Sequence, residues 1–324
     1  MQAIVVHAYG NSEQLQWREW PDPEPGSGQV RIRTRLTSVN FADIAARRGG
    51  YDAGAAPPFV PGLDVVGTVE ALGPGVRDLE VGTRVAAFPL GGSYATLTLA
   101  PAALTFPVPD TLGDEAVAGL TVLTTAYGLL TRAGRLSPGE TVLVHAAAGG
   151  VGSTAVQLAR VLGAGRVIGT AGSARKCDFV RALGADFAIH SLEEDFAQRV
   201  LEVTGGTGAD LILDPVSGAV LERGLSCLAP FGRLVSYSQM TERPAQISTR
   251  PLHRQNRAVI GFSNGHLRRS RPEALRPDVE ALLRLLEEGR LKLQIGARFP
   301  LSEAARAHDL IESRQNVGKV LLVP

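Results

Sequence analysis

The sequence predicts an α/β protein in which a doubly wound parallel sheet is joined to a barrel-like β domain. Three observations carry that expectation. From Gly139 to Asp186 an apolar β run, a small-residue turn, a helix with apolar periodicity and a second β run form one complete βαβ unit. Strands and helices then keep alternating as far as Phe262, the pattern of a parallel sheet. Ahead of the unit, short β runs lie at close spacing between Gly- and Pro-rich turns, the pattern of a small barrel.

Taken in order, Gln2 to His7 begins a strand and Pro21 to Gly28 is a stiff connection. Gln29 to Ser38 alternates Val30, Ile32, Thr34 and Leu36, as a half-buried strand does. Asn40 to Arg48 predicts a helix ended by Gly49 and Gly50. Pro57 to Pro61 is extended, and Leu63 to Leu72, Thr83 to Phe88, Ser93 to Leu99 and Leu104 to Val108 are strand candidates. Composition changes near Asp114, where an apolar helical stretch runs to Ala133. In the βαβ unit, Thr141 to His145 and Arg166 to Thr170 are the strands. Ser153 to Leu162 is the helix, carried by Val156, Leu158, Ala159, Val161 and Leu162. Further strands are expected at Asp186 to His190, Asp210 to Asp214, Phe231 to Ser238 and Arg257 to Phe262. Helices are expected at Glu193 to Val203 and Val220 to Leu228. An Arg-rich loop, Leu267 to Arg276, leads to a helix at Pro277 to Glu288. Ala304 to Ser313 is helical and Val317 to Val323 is the last strand.

Of 324 residues, 44% are hydrophobic and 20% charged, with a net charge of +1. Such a balance gives no general electrostatic reason to bind nucleic acid or an anionic membrane. The opening MQAIVVHAYG lacks the basic start and long apolar core of a signal peptide, and no apolar run is long enough to span a bilayer. Two cysteines, Cys177 and Cys227, make neither a disulfide framework nor a tetrathiolate metal site and read as inert buried thiols. The cytoplasm is the expected location.

The turn Ala146 to Gly152 carries the chemistry. Without a Cβ at Gly149 and Gly152 the backbone can curve tightly, and the N–H groups that open the following helix point at an anion favoured by the helix dipole. That arrangement suits a pyrophosphate. Ala147 takes the first place of the usual GxGxxG fingerprint, Gly149 and Gly152 the second and third. At the end of the second strand, sites that prefer NAD place an acid on the ribose 2′-hydroxyl. Here that place reads Thr170, Ala171, Gly172, Ser173, with no acid before Asp178. A neutral turn followed by Arg175 and Lys176 accepts a 2′-phosphate, so NADPH is expected over NADH. Arg175 and Lys176 also fit a solvated helix start.

Several landmarks resemble the zinc-independent quinone oxidoreductases of the medium-chain dehydrogenase/reductase superfamily. They are SVNFADIAARRGGY, PGLDVVGTVEALG, VGTRVAAF, GLTVLTTAY, HAAAGGVG, DLILDPVSG and AHDLIESRQNVGKVLL, spread over nearly the whole chain. The resemblance implies a GroES-like β-barrel domain, residues 1–118 and 265–324, and a Rossmann domain, residues 119–264, with substrate and nicotinamide meeting in the cleft between them. It implies hydride transfer from NADPH to a quinone or similar conjugated carbonyl. Zinc-dependent relatives bind metal through a Cys and the His of a GHE motif. Those places hold Asn40 and Leu63 here, neither a zinc donor of choice, so no metal is expected.

Residue roles follow from the same resemblance. Asn40 would bond near the nicotinamide or a substrate oxygen, Tyr51 would sit at the pocket mouth, and Thr125 would meet the nicotinamide carboxamide. Ala148, Gly149, Gly150 and Val151 would contact the pyrophosphate, and Ser173, Lys176 and Arg314 the 2′-phosphate. Val216 and Ser238 follow the fourth and fifth Rossmann strands, and Phe262 and Asn264 the sixth. Structural alternatives stand beside these. Asn40 could cap its helix, Asp43 could pair with Arg47 or Arg48, Thr125 could bond its own helix backbone, and His145 could be a satisfied core histidine. Two places depart from the family pattern, Ala45 and Ser191, where tyrosines are usual. The likeness also implies a homodimer, paired near Arg257 to Phe262. Two other functions fit the same motifs, an enoyl-thioester reductase and a non-catalytic, crystallin-like or RNA-binding protein.

Overall fold

In the computed structural model, which describes residues 1–50, 56–241 and 243–324, the chain divides into two units. One comprises residues 1–124 and 265–324, the other residues 125–264.

The first unit opens with an antiparallel pair, β1 (Gln2–Val6) and β2 (Leu15–Glu19). The alternating segment expected from Gln29 becomes β3 (Gln29–Val39), which turns Val30 and Ile32 into the interior. Next come β4 (Val65–Leu72), β5 (Arg84–Ala87), β6 (Leu97–Pro101) and β7 (Thr105–Pro107), all antiparallel to their neighbours. Val30, Ile32, Val65, Val69 and Val85, from alternate positions of three strands, make one apolar core. Each such side chain contributes about 1.5–3 kcal/mol when buried.

The second unit is the doubly wound sheet. Its strands are β8 (Thr141–Val144), β9 (Arg166–Ala171), β10 (Phe187–His190), β11 (Ala209–Asp214), β12 (Leu228–Ser236) and β13 (Ala258–Gly261). They are parallel and lie in the order β10-β9-β8-β11-β12-β13. Leu143, Ile168, Ile212 and Leu234 have no exposed surface, as strands covered on both faces require. The chain leaves β8 first toward β9 and later returns to pair β11 on its other side. Beyond the carboxyl ends of β8 and β11 lies the switch point, the place where such sheets bind ligands.

Two strands close the chain, β14 (Ile295–Pro300) and β15 (Lys319–Val323). β15 runs antiparallel to β3 and parallel to β14, so the last segment completes the first unit's sheet, ordered β14-β15-β3-β4-β5-β7. The amino-acid pattern did not announce β14, whose burial is shallow along its length.

Three segments differ from expectation. The apolar stretch from Asp114 is not one helix but a short turn, Asp114–Val117, a helix, Leu120–Gly128, and a wide turn, Leu129–Ala133. The wide turn closes with Gly134 N–H on Leu129 C=O (2.8 Å), five residues back. The expected Arg-rich loop instead holds the end of a helix, Asn264–Ser270, and a short turn, Pro272–Ala274. The helix after it starts at Leu275, two residues before Pro277, because proline is tolerated in a first turn whose N–H groups have no intrahelical acceptor.

Candidate functional site

In the second unit, the turn between β8 and helix Gly150–Val161 stands at the switch point. A Cβ on Gly152 would lie 2.3 Å from Ala146 O and 2.6 Å from Ala147 Cα, so this helix can pack on its turn only with glycine there. Gly149 is the N-cap and brings no side chain to the helix end, leaving the first-turn N–H groups of Gly150 and Val151 without an intrahelical acceptor. Ala148 is buried beside them. Twelve aligned residues add their dipole. These features fit a pyrophosphate.

Where the ribose would lie, β9 ends at Ala171 and Gly172 follows, with open space around it. Ser173 caps helix Ala174–Ala182, its Oγ accepting Lys176 N–H at 3.3 Å. Arg175 is exposed, and burial followed by the Arg175 charge lowers the Lys176 ammonium from its ordinary value. The nearest acid, Asp178, is engaged by Arg181 at 2.8 Å. From Thr170 to Cys177 the end of β9 and the helix start carry two cations and no carboxylate. Ser191, in a tyrosine's place, is tied back by its Oγ to Ala171 O (3.2 Å).

The first unit holds a buried polar network around helix Phe41–Arg47. Asn40 is the N-cap residue and forms a capping box with Asp43, and its side chain also bonds groups outside the helix. Oδ1 accepts from Lys319 Nζ at 2.8 Å, and Nδ2 donates to Ser38 O at 3.3 Å. Its backbone N–H is held by Asp43 Oδ2 (2.8 Å), which also accepts from Tyr94 OH (3.2 Å). Arg47 does not pair with Asp43; it is wholly buried, bonding Glu312 (2.6 Å) and His308 Nδ1 (3.3 Å). Because a guanidinium only donates, His308 Nδ1 is the acceptor and Nε2 carries the hydrogen toward Tyr94 O (3.2 Å). The donors therefore run in one direction, Arg47 to His308 to Tyr94 to Asp43. Burial outweighs the bonds Asp43 accepts and pushes its carboxyl up to about 7. Asp64, next to Leu63, anchors Ser38 Oγ (2.5 Å) and Thr121 N–H (3.0 Å).

Two family models match the chain, the alcohol dehydrogenase GroES-like domain over residues 26–110 and the zinc-binding dehydrogenase over residues 150–288. A quinone oxidoreductase of Pseudomonas aeruginosa is 36% identical, covering 99% of each chain. A 2-haloacrylate reductase of a Burkholderia species is 35% identical over 99% of this chain and 98% of its own. The solved structure of Escherichia coli quinone oxidoreductase complexed with NADPH superposes with a TM-score of 0.93 at 30% identity, covering both chains completely. This chain belongs to the zinc-independent quinone oxidoreductase family.

In this quinone oxidoreductase relative, the other expected site residues fall as follows. Thr125 is buried in helix Leu120–Gly128. Val216 and Ser238 follow β11 and β12, but the Val216 N–H is taken by Asp214 Oδ1 (2.7 Å), as is that of Ser217, which sits at φ 68°. Asp214, raised by desolvation, shapes this turn, and the sequence reading missed it. An Asp two residues before a turn is the Asx-turn signal that could have found it. Phe262 follows β13, its ring so close to Gly128 that a Cβ there would lie 2.5 Å from Cζ. Asn264 is buried at the start of helix Asn264–Ser270. Arg314, in the first unit, is exposed at φ 56° after helix Ala304–Glu312. Tyr51 lies outside the described residues. His145 is buried with Nδ1 on Thr170 Oγ1 (3.0 Å), but Nε2 has no partner among the described residues, so it is only half satisfied. Cys177 and Cys227 are both buried, and burial pushes the Cys227 thiol up to about 12. Among the described residues, no group of three or more His, Cys, Asp or Glu could hold a metal ion. Lys319, Tyr94 and His308 were also missed, because their partners are hundreds of residues away or on other strands.

Proposed function

We propose that this NADPH-dependent oxidoreductase reduces quinones and similar conjugated carbonyls without zinc. The observation that carries the proposal is the phosphate-binding turn at the switch point, with a neutral, lysine-flanked end of β9 beside it. Bound NADPH supplies a hydride, and a quinone that takes it up with one solvent proton becomes an aromatic hydroquinone.

The chain's own residues bind and orient. Ala148, Gly150 and Val151 hold the pyrophosphate through backbone N–H groups, and Gly149, whose own N–H is on Ala146 O (3.0 Å), lets it come close, while Ser173 and Lys176, with Arg175 and Arg314, hold the 2′-phosphate. Val216, Ser238, Phe262 and Asn264 flank the cofactor, and Thr125 meets the carboxamide. Asn40 meets the nicotinamide or a substrate oxygen. The relative that reduces 2-haloacrylate favours a second acceptor class, carbon–carbon double bonds conjugated to a carboxylate.

The cytoplasm belongs to the same reading and is supported by two buried, unpaired thiols. So does a homodimer through the outer edge of β13, the last strand of its sheet. No helix among the described residues is long and apolar enough to cross a membrane.

The test follows NADPH and NADH absorbance with a quinone series, a 2-haloacrylate and a short enoyl-CoA at matched concentrations. Faster turnover of quinones with NADPH is expected. Tight NADPH binding with no turnover of any acceptor would sink the catalytic reading.

A further inference from the structure

The geometry points to Lys319 as the positioning residue that sets which way the Asn40 amide faces, so that only its N–H₂ edge is offered to a ligand. This rests on the reading of Asn40 as a nicotinamide or acceptor contact.

An asparagine at an N-cap ordinarily turns its oxygen onto the N–H groups of the first helical turn. At Asn40 that oxygen accepts from Lys319 Nζ at 2.8 Å, an ammonium itself anchored on Val39 O at 2.8 Å. An ammonium can only donate, so its partner atom has to be the amide oxygen, and the amide orientation follows from chemistry. One Nδ2 hydrogen goes to Ser38 O, and the second has no acceptor among the described residues. That N–H is the group able to meet a carbonyl oxygen of ligand.

Keeping a lysine here is costly. Lys319 is 2% exposed and Asn40 6%, and lysine is almost never fully buried unless paired. Asp43 and Asp64 offset the charge from nearby, while burial lowers the ammonium from its ordinary value. A methionine would fill the same volume without that cost, so packing alone does not account for the residue. β15 delivers Lys319 by pairing with β3 beside Val39, one residue before Asn40.

The test uses the full chain as wild type, K319M, K319Q, N40A and the N40A/K319M double variant, each checked by thermal melting. Crystals of ligand-free K319M give a readout independent of turnover. With the ammonium gone the Asn40 amide is expected to leave its present orientation, and an unmoved amide would overturn the proposal. In NADPH oxidation with a quinone, K319M and N40A should each lower kcat/KM about 10-fold or more. K319Q, which keeps a donor, should recover part of the loss, and the double variant should be no slower than N40A. Losses that multiply in the double variant would show that Lys319 acts apart from Asn40 and overturn its role. Absence of wild-type turnover would remove the reductase reading instead, while the crystallographic arm would still decide the amide.

Discussion

At Ala147 a methyl group occupies the place where a phosphate-binding turn usually has its first glycine. It fits because the facing position on β9 is Gly169. A Cβ on Gly169 would lie 2.8 Å from the Ala147 methyl and 2.5 Å from Val180 Cγ1, so the glycine has moved to the neighbouring strand. Single residues also set the pH response. Burial lowers His145 to about 4, and burial with the Arg47 charge lowers His308 to about 3. The unfolded chain protonates both near pH 6.5 while the fold keeps them neutral. Their contribution is therefore full above that pH and drains away as pH falls. At pH 5 each should cost about 2 kcal/mol relative to pH 8. Asp43, raised to about 7, works oppositely, its contribution being present at low pH and lost as pH climbs through 7. Denaturant unfolding from pH 5 to 8 should show H308Q with less acid loss than wild type and D43N with more. Identical slopes in all three would refute both assignments.

At the scale of elements, Gly149 and Gly152 do different work in one turn. A Cβ on Gly152 meets backbone at 2.3 Å, whereas one on Gly149 would stand 3.3 Å from Ala146 O on an ordinary extended backbone. G152A should therefore lower stability by about 1–3 kcal/mol and weaken NADPH binding with it. G149A should melt near wild type yet bind NADPH more weakly. Calorimetric titration beside a thermal melt separates the two, and wild-type affinity in G149A would place the pyrophosphate elsewhere. Strands covered on both faces, such as β8 and β11, were legible because each has an unbroken apolar centre, Val142 to Val144 and Leu211 to Leu213. β14 was not, since its residues are only half-buried or exposed and leave no apolar run. The helix expected from Asp114 to Ala133 failed for a related reason. Gly119 and Gly128 admit Leu293 and Phe262, close packing that one-dimensional periodicity does not record.

For the whole molecule, β13 ends its sheet with one edge unpaired among the described residues, and an open apolar edge is a template for a second copy. Sedimentation at micromolar concentration should give a dimer, and I260K should shift it toward monomer. A stable wild-type monomer would end that proposal. The motif between Gly139 and Asp186 lay open in the sequence because each of its steps is local: a strand, a turn without Cβ atoms, a helix start and an end of strand without acid. Composition and spacing alone determined that much; that Asn40 and Leu63 stand where zinc-dependent relatives hold metal came from the family resemblance. Tertiary structure decided the rest. That the Asn40 amide meets Lys319, that Arg47 pairs with Glu312 and not Asp43, and that His308 stays neutral all depend on groups brought together from opposite ends of the chain. Hydrogen bonds and burial act through space, and sequence separation carries no record of them until the strands have paired.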